Sequence, residues 1–260
     1  SQPAEFAKVV RRGDTEAQRE AARRSLLTRL AMSLDNDPLK SGGTIRILHE
    51  GFSIVPLHGG AVKFQMAQFR PATSNNPQTL ADYAKMRVRV VRQVHYSAMH
   101  PNKALDLVLF VNGIPVATIE LKTDFTQPIA NAVDQYRFDR NPAGEPLFAF
   151  AKRSLVHFVV SNNEVRMTTK LAGSGTRFLP FNQGHDEGAG NPPDASGSAS
   201  SYFWREILQR DTWLQVLGSF VLLQVDVDVD PDTGKKTRTE KVLFPRYHQW
   251  RAGNRLVDAA

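Results

Sequence analysis

The sequence predicts an α/β protein built on one mixed central β-sheet flanked by helices. Three observations carry this expectation. A β-rich stretch runs from Arg87 to Lys122 and is broken by Asn112-Gly113; a helical stretch follows over Ala130–Arg140; two more β-rich runs, Leu155–Ser161 and Val165–Leu171, come next. Strands, then a helix, then strands again are the order from which a mixed sheet with covered faces is assembled.

Taken in order, the first element is a helix over Thr15–Leu34. Thr15-x-x-Gln18 forms a capping box, and Ala22, Leu26, Leu27, Leu30 and Leu34 recur on one face. Pro38 and Gly42-Gly43 end it. Short strands are expected over Thr44–Leu48 and Val62–Phe69, and Asn76-Pro77 opens a short helix that reaches Lys85. The Arg87–Lys122 stretch divides into an extended run through Tyr96, then Leu105–Val111 and Ile114–Lys122, because Asn-Gly between two apolar runs signals a hairpin. Asn141-Pro142 stops the next helix.

Residues 173–201 are rich in Gly, Pro, Ser and Asn, and are expected to form a functional or mobile loop. They set a soft boundary between 1–172, which holds the central sheet, and 202–260. In that last part Tyr202–Leu208 and Thr212–Leu222 read as helices, with Trp204, Trp213, Leu217 and Phe220 as packing residues. Gln224–Asp230 and Lys241–Phe244 read as a hairpin around Pro231-Asp232-Thr233-Gly234. No internal repeat is present.

Bulk composition narrows the function classes. At 260 residues with 41% hydrophobic and 23% charged content, the chain can bury a real core, and it contains no apolar run of the roughly 20 residues that a membrane span needs. Ser1-Gln2-Pro3-Ala4-Glu5 does not open a signal peptide. The absence of cysteine removes disulfides, thiolate nucleophiles and Cys-based zinc sites, which fits a cytoplasmic protein. A net charge of +7 suits a polyanionic partner.

The residues with chemistry sit at the ends of the hairpin. Phosphodiester hydrolysis needs a divalent cation to offset charge on the phosphorus oxygens and to lower the pKa of water, and Mg²⁺ prefers a few carboxylates plus waters. Asp106 and Glu120 can each supply an oxygen and the Leu121 carbonyl a third. Lys122 shares a strand face with Glu120 and can orient water or stabilise developing charge. Register decides whether these residues meet. A strict two-residue turn pairs Val111 with Ile114, sets Leu105 opposite Glu120 and sends Asp106 to the other face, so an odd loop or a bulge is required. The expected solution is a three-residue loop, Asn112-Gly113-Ile114. It pairs Val111 with Pro115 and Asp106 with Glu120, and it groups Leu105, Leu107, Leu109 and Val111 with Ile119 and Leu121. The same spacing also fits a strand end carrying ordinary solvated charges.

Other candidates have competing readings. Lys85, Arg87, Arg89, Arg92 and Lys103 form a stretch without an acid from Tyr83 to Leu105, fit either to grip DNA phosphates or to guard an exposed strand edge. His95 and His100 do not converge with Asp106 by spacing. Asp226, Asp228, Asp230 and Asp232 lack the glycine and glutamate of a calcium loop and alternate with Val225, Val227 and Val229 as a solvated strand face would.

The run Leu105-Asp-Leu-Val-Leu-Phe-Val-Asn-Gly-Ile-Pro-Val-Ala-Thr-Ile-Glu-Leu-Lys122 resembles the nuclease core of the R subunit of type I restriction enzymes, of the PD-(D/E)xK fold. Gln135-Tyr-Arg-Phe-Asp-Arg140, Met167-Thr-Thr-Lys-Leu-Ala172, Phe178-Leu-Pro-Phe-Asn182 and Phe244-Pro-Arg-Tyr-His-Gln249 are similar to the same subunit. The resemblance implies a restriction-endonuclease-like fold in which Asp106, Glu120 and Lys122 bind Mg²⁺ and cleave double-stranded DNA. Gln135 matches the first position of a helical Gln-x-x-x-Tyr motif that supports DNA contact and catalysis, whereas Asp139 stands in place of its tyrosine.

The resemblance also implies partners: methyltransferase and specificity subunits, and an ATP-driven motor that follows the nuclease domain. No Gly-x-x-x-x-Gly-Lys-Ser/Thr occurs here, so ATP belongs to the rest of such a subunit. Arg246–Gln249 resembles the stretch that opens the motor, which makes Tyr247 and Gln249 candidate adenine contacts in a longer protein. Residues 202–260 are then a helical and hairpin segment leading into the motor, and the chain reads as a piece cut at both ends. A catalytically silent module that binds DNA, or docks the motor to the complex, is the alternative.

Overall fold

The structure, a computed structural model, describes residues 3–259 except 12, 41, 57, 58, 72, 74, 124–128 and 196. Helix α1 spans Pro3–Val9 and α2 Glu16–Asp35. α2 begins at its capping box, in which Thr15 Oγ1 accepts from the Gln18 N–H at 3.3 Å and Gln18 Oε1 accepts from the Thr15 N–H at 2.7 Å. Leu34 is buried and Leu26 and Leu30 are partly covered, but Leu27 faces solvent. Thr44–Leu48, expected as a strand, is instead part of helix α3, Thr44–Glu50. Its β-branched residues favour a strand locally, but tertiary anchoring wins. The Thr44 N–H and Oγ1 donate to the Ala151 and Arg153 carbonyls at 2.9 and 2.7 Å, and burial of Thr44, Ile47 and Leu48 together requires helical spacing.

Strand β1, Phe52–Ile54, pairs antiparallel with β2, Val62–Phe64, which is shorter than the expected Val62–Phe69 run. Helix α4, Pro77–Ala84, starts on Asn76, whose Oδ1 accepts from the Gln78 and Thr79 amides. The central sheet then follows: β3 Val88–His95, β4 Ala104–Val111, β5 Ile114–Leu121, β6 Val156–Val160, β7 Val165–Thr168 and β8 Leu179–Pro180. The strands lie side by side in chain order, and only β5 and β6 run parallel. The crossover between those two carries α5, Ile129–Asp134, which continues as one wider π-helical turn over Gln135–Asp139. Helices cover both faces. On one, Ile129, Val133 and Tyr136 pack on Val108 and Val159; on the other, Ile119 and Phe158 meet Leu48, Phe203 and Trp213.

The β4–β5 hairpin corrects the expected register. The turn is two residues long, with Val111 opposite Ile114, and Asn112 (φ 48°) and Gly113 (φ 90°) are both left-handed. Asn112 also anchors the turn, since its Oδ1 accepts from the Arg87 N–H and its Nδ2 donates to the Met66 carbonyl. The odd residue is Val116, a β-bulge that moves the pairing from Phe110↔Pro115 to Leu109↔Ala117. Leu107 then faces Ile119, and the same register continued sets Asp106 opposite Glu120. The Val116 carbonyl is used elsewhere, accepting from the Leu155 N–H at 2.8 Å where β6 begins. A second departure concerns Leu105, which packs with Val94 and Val108 under α5 rather than with Leu107 and Leu109. Both strands twist there: Gln93, opposite Asp106 in the continued β3–β4 register, is left-handed at φ 48°.

Residues 173–201 are tied to the sheet. They contain β8; Asn182 Oδ1 accepts from the Val165 N–H at 2.8 Å, and Ser200 Oγ donates to the Ser161 carbonyl at 2.6 Å. Beyond them, a π-helical turn over Phe203–Ile207 leads to α6, Arg210–Gln215, which runs into a second such turn over Val216–Phe220. A hairpin of β9, Leu222–Val229, and β10, Lys236–Leu243, precedes α7, Tyr247–Asp258. Phe158 on β6 joins these parts. Its ring lies 5.5 Å from Phe181, 4.8 Å from Phe203, 6.3 Å from Trp213 and 5.8 Å from Phe244. Each such aromatic pair adds about 0.5–1.5 kcal/mol beyond area burial. Phe158→Ala is therefore expected to cost about 3–5 kcal/mol in urea denaturation and to lower the signals of the sheet and of Trp213 in one transition.

Candidate functional site

The candidate site lies where β4 enters and β5 leaves the sheet. Asp106 is half-buried. Its Oδ2 accepts from the Leu121 N–H at 2.8 Å and its Oδ1 from Gln93 Nε2 at 3.2 Å. A side chain thus takes the amide that a regular ladder would give to backbone, which turns the Asp106 carboxylate toward the end of β5. Glu120 is 2% exposed, and Arg140, at the end of the π turn, grips its Oε1 with Nε at 3.0 Å and Nη2 at 2.7 Å. Arg140 is itself buried. Its Nη2 also donates to the Ala104 carbonyl at 3.0 Å, its Nη1 to Tyr96 OH at 3.2 Å, and its guanidinium lies 5.5 Å from the Tyr96 ring centre.

Burial pushes the Glu120 carboxyl up to about 7; Arg140 pulls it down, and the charge and hydrogen-bonding contact of Asp106 raise it further. Two acids held together in a dry place favour a proton or a cation between them. Hard oxygen donors of this kind fit a divalent cation such as Mg²⁺. Gln135 adds to the fit: its Oε1 is a buried acceptor without a hydrogen-bond partner. Among the described residues no group of three or more acids, histidines or cysteines converges, so protein oxygens beyond Asp106 and Glu120 would come from backbone or amide groups. Leu121, proposed for its carbonyl, touches the site through its N–H.

Lys122 extends β5 by one more rung, its N–H donating to the Val160 carbonyl at 2.9 Å, and strand alternation puts its side chain on the face of Glu120. It is half-buried, and among the described residues its ammonium has no hydrogen-bond or ion-pair partner. Beneath the site, Thr118 Oγ1 lies 2.7 Å from both Tyr136 OH and His157 Nδ1, a buried chain that fixes the helix carrying Gln135 and Arg140 to β5 and β6. Burial holds His157 neutral, its pKa pulled down to about 3.

The sequence reading brought together Asp106, Glu120, Lys122 and Gln135 but missed Gln93, Tyr96 and Arg140. A signal for Arg140 was available, since a glutamate on a strand otherwise apolar but for Thr118 needs a buried cation. Asp139, in the position of the motif's tyrosine, is exposed, and its carbonyl accepts from Lys103 Nζ at 3.4 Å. The remaining basic candidates are spread out. Lys85 ends α4 and pairs with Asp82; Arg87 is exposed just ahead of the edge strand β3, and Arg89 and Arg92 are exposed along it. Pairing with Phe110 puts Arg89 on the Asp106 side of the sheet, while pairing with Leu107 puts Arg92 on the other.

The remaining candidates serve the fold. His95 Nδ1 donates to the Pro101 carbonyl, and Asp226 pairs with Lys241. Near the C-terminus Tyr247 is buried and its hydroxyl donates to Glu206 at 2.9 Å, while Gln249 Oε1 accepts from the Arg246 N–H at 2.9 Å, so both candidate adenine contacts hold the fold together locally.

Residues 57–176 match the family model described as the type I restriction enzyme R protein N terminus, a span that includes Asp106, Glu120, Lys122, Gln135 and Arg140. No curated protein matches the chain. Among the described residues no helix is long and apolar enough to cross a membrane.

The raised pKa of Glu120 gives the site a pH signature. In the metal-free protein, the stability due to its protonated form is fully present below the ordinary glutamate range and is lost as pH rises through about 7. A divalent ion held by the carboxylate would displace that proton, so binding would strengthen as pH rises through 7 and would release up to one proton at pH 6.5. Calorimetry in buffers of different ionisation heat reads that release; binding with proton uptake, or with no proton exchange, would contradict the raised Glu120 pKa.

Proposed function

We propose that this chain, whose residues 57–176 belong to the type I restriction enzyme R protein N-terminal family, is the Mg²⁺-dependent endonuclease module of such an R subunit. It would hydrolyse phosphodiester bonds of double-stranded DNA without sequence preference. Methyltransferase and specificity subunits would supply recognition, and the ATP-driven motor of the longer subunit would supply translocation. Such an assembly works in the cytoplasm. The observation that carries this reading is the meeting of the Asp106 and Glu120 carboxylates at the sheet's end, brought about by the Val116 bulge.

Within this reading each residue has a role. Asp106, Glu120 and the Leu121 carbonyl would hold Mg²⁺, which when bound offsets charge on the scissile phosphate and makes nearby water more acidic. Lys122, unpaired among the described residues, would orient the attacking water or neutralise charge on the phosphate oxygens. Gln135 would use its unpartnered carbonyl oxygen to hold water or substrate. Arg89 and Arg92 on β3, with Lys85 and Arg87 ahead of it and Lys103 beyond it, would bind backbone phosphates.

One observation favours the alternative, a catalytically silent module that binds DNA or docks the motor: a guanidinium already sits on Glu120. The two readings part at Asp106 and Lys122. In the complete enzyme Asp106→Ala or Lys122→Ala is expected to lower cleavage by at least about 100-fold while ATP hydrolysis and assembly stay near wild type. Restriction by those variants at the wild-type rate would leave the silent module standing. Arg89→Ala, on the Asp106 side of the sheet, is expected to weaken DNA binding uniformly across sequences and to reduce its salt dependence by about one counterion, read from anisotropy titrations at several salt concentrations.

A further inference from the structure

We infer that Arg140 is the site's resident counter-cation, which holds Glu120 in place through one carboxylate oxygen and opposes the divalent ion that the other oxygen would take. The inference rests on the metal-site reading above. Its basis is the set of contacts around one side chain. The guanidinium is enclosed, with all three of its nitrogens donating: two to Glu120 Oε1, one of these also to the Ala104 carbonyl, and the third to Tyr96 OH. Both prongs that reach Glu120 land on Oε1, and neither lands on Oε2. The carboxylate is thus fixed in orientation and partly neutralised, while its contact with Asp106 persists.

The backbone shows how Arg140 comes to be there. The helix leaves α-geometry at Gln135, and the Arg140 N–H closes a five-residue turn onto the Gln135 carbonyl at 3.0 Å. One extra residue in that turn delivers a guanidinium, at the helix end, to a glutamate on β5, two strands in from the nearer edge of the sheet. π-turns are rare and frequently lie at functional sites, and of the three among the described residues this one alone ends beside the carboxylates. Without Arg140 the buried Glu120 would face Asp106 with no counter-charge and would hold its proton more tightly, so the arginine favours the ionised carboxylate in the metal-free fold. The same positive charge repels an incoming divalent ion a few ångströms away. The site is therefore set for weak metal binding, and a structural role alone would not give that property.

Manganese titrated into the chain by calorimetry, with Asp106→Asn as the control for site identity, tests the inference. Arg140→Met keeps the apolar stem and removes the charge; it is expected to tighten Mn²⁺ binding by about tenfold or more. Arg140→Lys keeps the charge and should stay within about threefold of wild type. In the complete enzyme Arg140→Met should nevertheless cleave more slowly, because Glu120 loses its fixed orientation. A folded Arg140→Met chain that binds Mn²⁺ no more tightly than wild type overturns the inference and leaves the nuclease reading intact. If wild type binds no Mn²⁺ at this site, both fall. Should Arg140→Met not fold, the Arg140 Nε–H resonance of wild type decides: it is expected to shift on Mg²⁺ saturation, and an unmoved signal overturns the competition.

Discussion

One extra residue in β5 determines the chemistry of this sheet. Side chains alternate across a strand, so a hairpin with an even turn and no irregularity would leave Asp106 and Glu120 on opposite faces. Val116 breaks that parity. Its side chain is fully buried and its carbonyl is taken by Leu155, so the bulge is held by the core on one side and by the start of β6 on the other. The positioning of Glu120, the approach of Asp106 to the Leu121 amide and the direction of Lys122 all follow from it.

Placing an acid there has a cost that the surroundings must meet. Glu120 lies on a strand whose other residues from Val116 to Ile119 are all buried. The fold answers with a second irregularity, the π turn that brings in Arg140, and with a third, the left-handed Gln93 that offers its amide to Asp106. Three departures from regular geometry thus surround two carboxylates. Local strain of this kind persists only where neighbouring packing over-determines it. The chain of Tyr136, Thr118 and His157 is one such support, since Thr118 Oγ1 lies 2.7 Å from both Tyr136 OH and His157 Nδ1.

What the sequence revealed depended on how local the determinant was. The capping box at Thr15 and Gln18, the Asn76 cap and the Asn112-Gly113 turn are read within four residues, and each stands where local chemistry puts it. The need for one odd residue in the hairpin was legible through the chemistry, because an even turn without a bulge puts Asp106 and Glu120 on opposite faces. Its location was not, since a three-residue loop and a bulge at Val116 give the same pairing downstream, and the choice rests on Leu155, which is distant in sequence. Thr44–Leu48 misled for a similar reason: two carbonyls more than 100 residues away hold Thr44. Arg140 stayed hidden because regular helical spacing does not anticipate a π turn.

The aromatic rings around Phe158 have a mechanical meaning. β6 is the parallel neighbour of β5, with Val159 opposite Glu120, and Phe158 one residue earlier is clasped by Phe203, Trp213 and Phe244 from the last quarter of the chain. A displacement of Phe244 would therefore reach the strand beside the carboxylates by direct ring contact, and from there, across one strand pairing, Glu120 itself.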